Sequence, residues 1–185
     1  MFDEEKKKII RDLIRYYRKN FKSLKMGDKK VRDGVLYRTL FEFYENKIYG
    51  IVDFFSIELL IAHTVLNSGV PLNEESLKKN IDFLNKKLKE IFEFPVEIEN
   101  IIQKDKRIFL DVYVRFAPSF GGPFAIEIVE LDPHNTKINE KELEKAFKYI
   151  ELHNFYYKKA EYFYEKYFSL PEEIRNQSLM IYNKF

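Results

Sequence analysis

Cysteine and tryptophan are both absent from these 185 residues. Without cysteine there can be neither a disulfide framework nor a thiolate metal site. No run of about 18 uncharged apolar residues occurs, so a membrane-spanning helix is not expected. Met1 leads straight into Asp3-Glu4-Glu5-Lys6-Lys7-Lys8, which is not a secretory signal, and the expected location is the cytoplasm. Also missing are a Gly-rich loop closed by Gly-Lys-Ser/Thr, a His-x-x-x-His pair and any Ser-His-Asp order. Their absence argues against a phosphate-loop nucleotide site, a helical zinc-protease site and a serine-hydrolase triad.

What is present supports burial. Apolar residues make up 45% of the chain and aromatics 17%, enough for one folded domain of this length. The abundance of Lys, Glu, Ile, Phe and Tyr fits an AT-rich, thermophilic source. The most informative stretch runs from Phe92 to Asp132. In Arg107–Phe116, Ile108, Leu110, Val112, Val114 and Phe116 alternate with Phe109, Asp111, Tyr113 and Arg115. That period of two predicts a strand with two different faces. Val96–Gln103 and Phe124–Leu131 read the same way, and the short breaks between the runs predict an antiparallel meander.

The rest of the chain reads as helical. Asp3 is an expected N-cap for a helix to about Phe21, and Met26–Gly34 reads as a charged loop with two turn glycines. Val35–Phe55 suits either a helix or a hairpin; its helical flanks favour the helix. Asp53–Asn67 is apolar nearly all round and predicts a central buried helix ending near Gly69, with Glu58 and His63 as a satisfied or rim-placed polar pair. Asn73 opens a further helix, with Leu77, Ile81, Leu84, Leu88 and Ile91 on one stripe. After the meander, Asn139 and Glu142 start a long helix on which His153 is a packed residue. A last short helix begins near Pro171, with Ser178–Phe185 as an alternative closing strand. The expected fold is α+β: a three-stranded antiparallel meander packed by a helical half over 1–91 and a long, aromatic-rich carboxy-terminal helix.

Charge is unevenly spread. Residues 1–40 carry thirteen Lys and Arg against six Asp and Glu, while the remainder is acidic. Lys7, Lys8, Arg11, Arg15, Arg18 and Lys22, followed by Lys29, Lys30 and Arg32, are the candidate contacts to phosphates of DNA or RNA. The plainer alternative is a solvated helix face. Along the long helix the aromatics outnumber what one stripe can hide. Either a second layer covers them or they meet a partner, and Tyr156, Tyr162 and Phe163 are the candidate contacts for a homo-oligomer or protein partner.

Two acids interrupt the apolar strands, Asp111 in the second and Glu127 in the third. Carboxylates on adjacent antiparallel strands can converge, and then need a proton or a hard cation between them. With these two residues on a helix–meander–helix order over about Leu77–Tyr167, the chain resembles the core of the PD-(D/E)xK nuclease superfamily. The resemblance implies Mg or Mn held by Asp111 and Glu127 as catalytic and metal-binding residues. The family's lysine two positions after the Glu is Val129 here, and Glu130 belongs to the opposite face. Otherwise the acids are residues of a wet sheet face, Asp111 pairing with Arg115 or Lys106.

Overall fold

The computed structural model describes Arg15, residues 29–119 and residues 126–183, the last without the side chains of Ile126 and Glu127. It is α+β, with six helices and one sheet among the described residues. In order these are α1 (Lys29–Ile51), α2 (Phe54–Leu66), α3 (Glu74–Lys79), α4 (Ile81–Lys89), β1 (Val96–Lys104), β2 (Arg107–Val114), β3 (Ile126–Leu131), α5 (Glu140–Phe168) and α6 (Glu172–Tyr182). The expected helix over 3–21 lies outside the described residues except for Arg15, which is helical. No single described helix is long and apolar enough to cross a membrane.

The chain falls into two compact units. One comprises residues 48–158; the other comprises 1–47 with 159–185. In the first, the sheet has the order β1-β2-β3, antiparallel throughout. Ile108, Leu110, Val112 and Val114 of β2 are fully buried, and Val129 and Leu131 of β3 share that side. Ile57, Leu60, Ile61 and Val65 of α2 are equally inaccessible. Asp53 caps α2 by accepting from both the backbone N–H and the hydroxyl of Ser56, which satisfies a donor the first helical turn leaves open.

The periodic stripe from Asn73 to Ile91 is two helices, not one. Asn80 turns its amide back to donate to the Ser76 carbonyl at 2.7 Å, occupying the acceptor its own N–H would use. That N–H bonds Leu77 O instead, and the helix breaks. Gly34 is likewise not in a loop: it lies within the described span of α1, Lys29–Ile51. The carboxy-terminal segment is helical as far as Tyr182, so the closing strand does not form over the described residues.

β1 carries a bulge between Ile98 and Asn100. Beside it, Asn85 of α4 takes both backbone polar groups of Ile98, accepting from the N–H at 2.7 Å and donating to the carbonyl at 3.2 Å. An irregular edge strand leaves such groups without ladder partners, and the amide has one acceptor and two donors to offer. Asn85→Ala is expected to cost about 1–2 kcal/mol. Asn85→Asp, keeping only the acceptor, should fall between the two in urea denaturation. Equal stability of all three would remove this role.

Candidate nucleic-acid interface

Among the candidate phosphate contacts, Arg15, Lys29, Lys30 and Arg32 are described and exposed. Lys7, Lys8, Arg11, Arg18 and Lys22 lie outside the described residues. On α1 the exposed cations alternate with Val31, Gly34 and Val35, which are buried, so the apolar stripe fixes which way the charges face. Lys29, Lys30 and Arg32 lie within four residues of one another on α1, so three positive charges are gathered on one stretch of helix.

Arg38 is excluded from that set by its surroundings. Its guanidinium lies over the rings of Phe41, Tyr167 and Tyr182 at 5.4–5.6 Å and pairs with Glu42 at 2.9 Å. Tyr182 also donates its hydroxyl to Glu42. A planar cation covered by three rings and neutralised by a carboxylate is a structural residue.

The surplus aromatics of α5 are covered largely by a second layer. Phe41 packs on Tyr164 and Tyr167, with ring centroids 5.5 and 5.8 Å apart, and Tyr44 stacks on Phe163. Of the three expected partner contacts, Tyr156 is buried at 3% exposure and cannot be one, because the helix places it on its inward stripe. Phe163 is partly buried. Tyr162 is 54% exposed, with the Lys166 ammonium 5.5 Å from its ring. Lys159, three residues before it, is exposed on the same stripe. Lys158 instead holds Glu93 at 2.7 Å. Of Lys158, Lys159 and Lys166, the cations that the sequence places near these aromatics, Lys159 and Lys166 flank Tyr162 in a cation–aromatic–cation order.

The charge follows the two compact units. The helical unit, 1–47 with 159–185, holds eighteen Lys and Arg against twelve Asp and Glu; the sheet unit holds fourteen against eighteen.

No family model matches this chain, and no curated protein or solved structure matches it.

The two strand acids are separated by the register. Asp111 stands opposite Ile128, and Glu127 opposite Val112. Directly opposed positions share a face and successive positions alternate, so Asp111 and Glu127 belong to opposite faces and do not form the expected convergent pair. Val112 is fully buried, so Glu127 occupies a position of the packed face, as does the lysine position of the family motif, Val129, at 3% exposure. Asp111 shares the other face with Glu130, which pairs with Arg107 at 3.1 Å. Arg115 donates to the Pro118 carbonyl rather than meeting Asp111. Asp132 accepts from the His134 N–H at 2.9 Å, closing a turn, and lies 3.7 Å from Arg107. Among the described residues no three His, Asp or Glu side chains are gathered as a metal site would require.

The polar residues on the helices are satisfied internally. His153 is fully buried, and its ring stacks on Phe94 at 4.1 Å. Its Nε2 lies 2.8 Å from the Phe116 carbonyl and its Nδ1 2.8 Å from the Tyr149 hydroxyl. A carbonyl only accepts, so Nε2 carries the proton and Nδ1 accepts from Tyr149. Tyr149 in turn accepts from the Asp53 N–H at 2.9 Å. Burial pushes the imidazole down to about 4, opposed in part by the Phe116 bond, and pushes the Tyr149 phenol up to about 12. Both groups are neutral at pH 7. They bind the start of α2, the end of β2 and α5 together, which is a structural role.

Proposed function

We propose that this is a cytoplasmic nucleic-acid-associated protein whose helical unit contacts phosphates. The single observation that carries the reading is the segregation of charge, with the cationic excess confined to the helical unit and the sheet unit acidic. Such a field attracts a polyanion to one part of the molecule and repels it from the other. Exposed Lys29, Lys30 and Arg32 are the phosphate contacts on α1. The exposed ring of Tyr162 between Lys159 and Lys166 suits one unpaired base stacked between backbone contacts, which favours single strands over duplex.

Fluorescence anisotropy with labelled single-stranded and duplex oligonucleotides tests this across a salt series. The logarithm of affinity should fall linearly with the logarithm of salt concentration. Each phosphate-binding cation removed in Lys29→Ala, Lys30→Ala or Arg32→Ala should flatten the single-strand slope by roughly 0.7. Tyr162→Ala should weaken single-strand binding by about 1–3 kcal/mol and leave the slope unchanged. No retention on either oligonucleotide at low salt would remove the reading.

A further inference from the structure

A cleft of about 400 Å³ opens in the sheet unit where the end of α2, the face of α4 and the first turns of α5 come together. That is within the range of small-ligand sites, roughly 300–1,000 Å³. Its walls include Phe83 and Phe147, each about 40% exposed, so two aromatic surfaces are left open at one concavity.

The polar lining is mostly spent. Thr64 donates its hydroxyl to the Leu60 carbonyl and Ser68 to the Val65 carbonyl, each at 2.7 Å. Asn67 donates its amide to the His63 carbonyl at 2.8 Å and approaches His63 Nδ1 at 3.2 Å. With an amide N–H directed at it, Nδ1 accepts, and the neutral ring carries its proton on Nε2. Among the described residues that Nε2–H has no hydrogen-bond partner. The other donor is Lys87, whose ammonium is 3.9 Å from a Glu90 carboxylate oxygen and 5.6 Å from the centre of the Phe83 ring. So long a separation leaves the ammonium able to bind a better-placed anion.

We propose that this cleft binds a small flat aromatic anion, an arylcarboxylate, with its ring against Phe83 and Phe147. Its carboxylate is held by His63 Nε2–H and the Lys87 ammonium. The reading is independent of nucleic-acid binding, which belongs to the other unit.

Titration of the full-length protein with 2-naphthoate, and separately with uncharged 2-naphthamide, followed by amide NMR shifts, tests it. Naphthoate should give saturable shifts at His63, Phe83 and Phe147 and bind about tenfold or more tighter than the amide. Lys87→Ala, a substitution of a half-exposed side chain, should weaken naphthoate about tenfold and leave naphthamide unchanged. Phe147→Ala should weaken both, and Glu90→Gln should tighten only the anion. Absence of saturable shifts, shifts centred elsewhere, equal affinity for the two probes, or unchanged naphthoate affinity in Lys87→Ala would each overturn the proposal.

Discussion

Replacing His153 by leucine is expected to remove about 4 kcal/mol of folding stability. The substitution keeps an apolar side chain of similar bulk but strands two partners, the Phe116 carbonyl and the Tyr149 hydroxyl. Each buried group deprived of its bond costs about 1–3 kcal/mol, and the flat stacking on Phe94 disappears as well. The pH dependence identifies the cause. An imidazole held at about 4 in the folded chain, against 6.5 when free, binds its proton more readily in the unfolded state. Its contribution is therefore fully present above about pH 6.5 and declines as pH falls towards 4, by about 3 kcal/mol in all. At the other end, the Tyr149 phenol, raised to about 12, contributes below pH 10 and ceases to contribute as pH rises to 12. Denaturation midpoints of the parent and of His153→Gln should converge between pH 6.5 and 4. Parallel curves over that window would mean the buried ring is not held neutral.

The meander was legible because alternation in β2 is nearly perfect and its burial follows the same alternation. Asn73 and Asn139 were legible as helix starts, since a short side chain ahead of an apolar period has one local use, whereas the cap at Asp53 was not read from the sequence. His153 was legible as packed from its place on the inner stripe. The pairing of Asp111 with Glu127 was not. The β1–β2 register is fixed by the two-residue turn at Asp105 and Lys106, with Asp105 at φ 57, whereas β2 and β3 are joined by a longer connection that leaves the register open by one residue. A one-residue difference exchanges the faces, and with them the whole metal-site hypothesis. The unit boundary was illegible for a related reason: α1 and α5 each contribute to both units, so no composition change marks it.

Gly34 shows how a close approach between distant segments overrides a local signal, and Gly34→Ala is expected to destabilise the helical unit. Inside a helix, alanine is normally better than glycine by about 1 kcal/mol. Here a methyl group at Gly34 would overlap Ser178 Oγ and stand 2.9 Å from Ser178 Cβ and 3.3 Å from Leu170 Cδ1. Ser178 is fully buried, with its hydroxyl 2.8 Å from the Ile174 carbonyl and 3.0 Å from that of Val31, so it has little room to turn away. Overpacking of this kind costs about 1–3 kcal/mol and exceeds the gain in propensity. The double-mutant cycle with Ser178→Gly separates the two effects. In the Ser178→Gly background, which removes both nearest atoms, Gly34→Ala should become neutral or stabilising, giving a coupling of about 1–3 kcal/mol. If Gly34→Ala is tolerated equally in both backgrounds, α1 and α6 do not meet at this glycine.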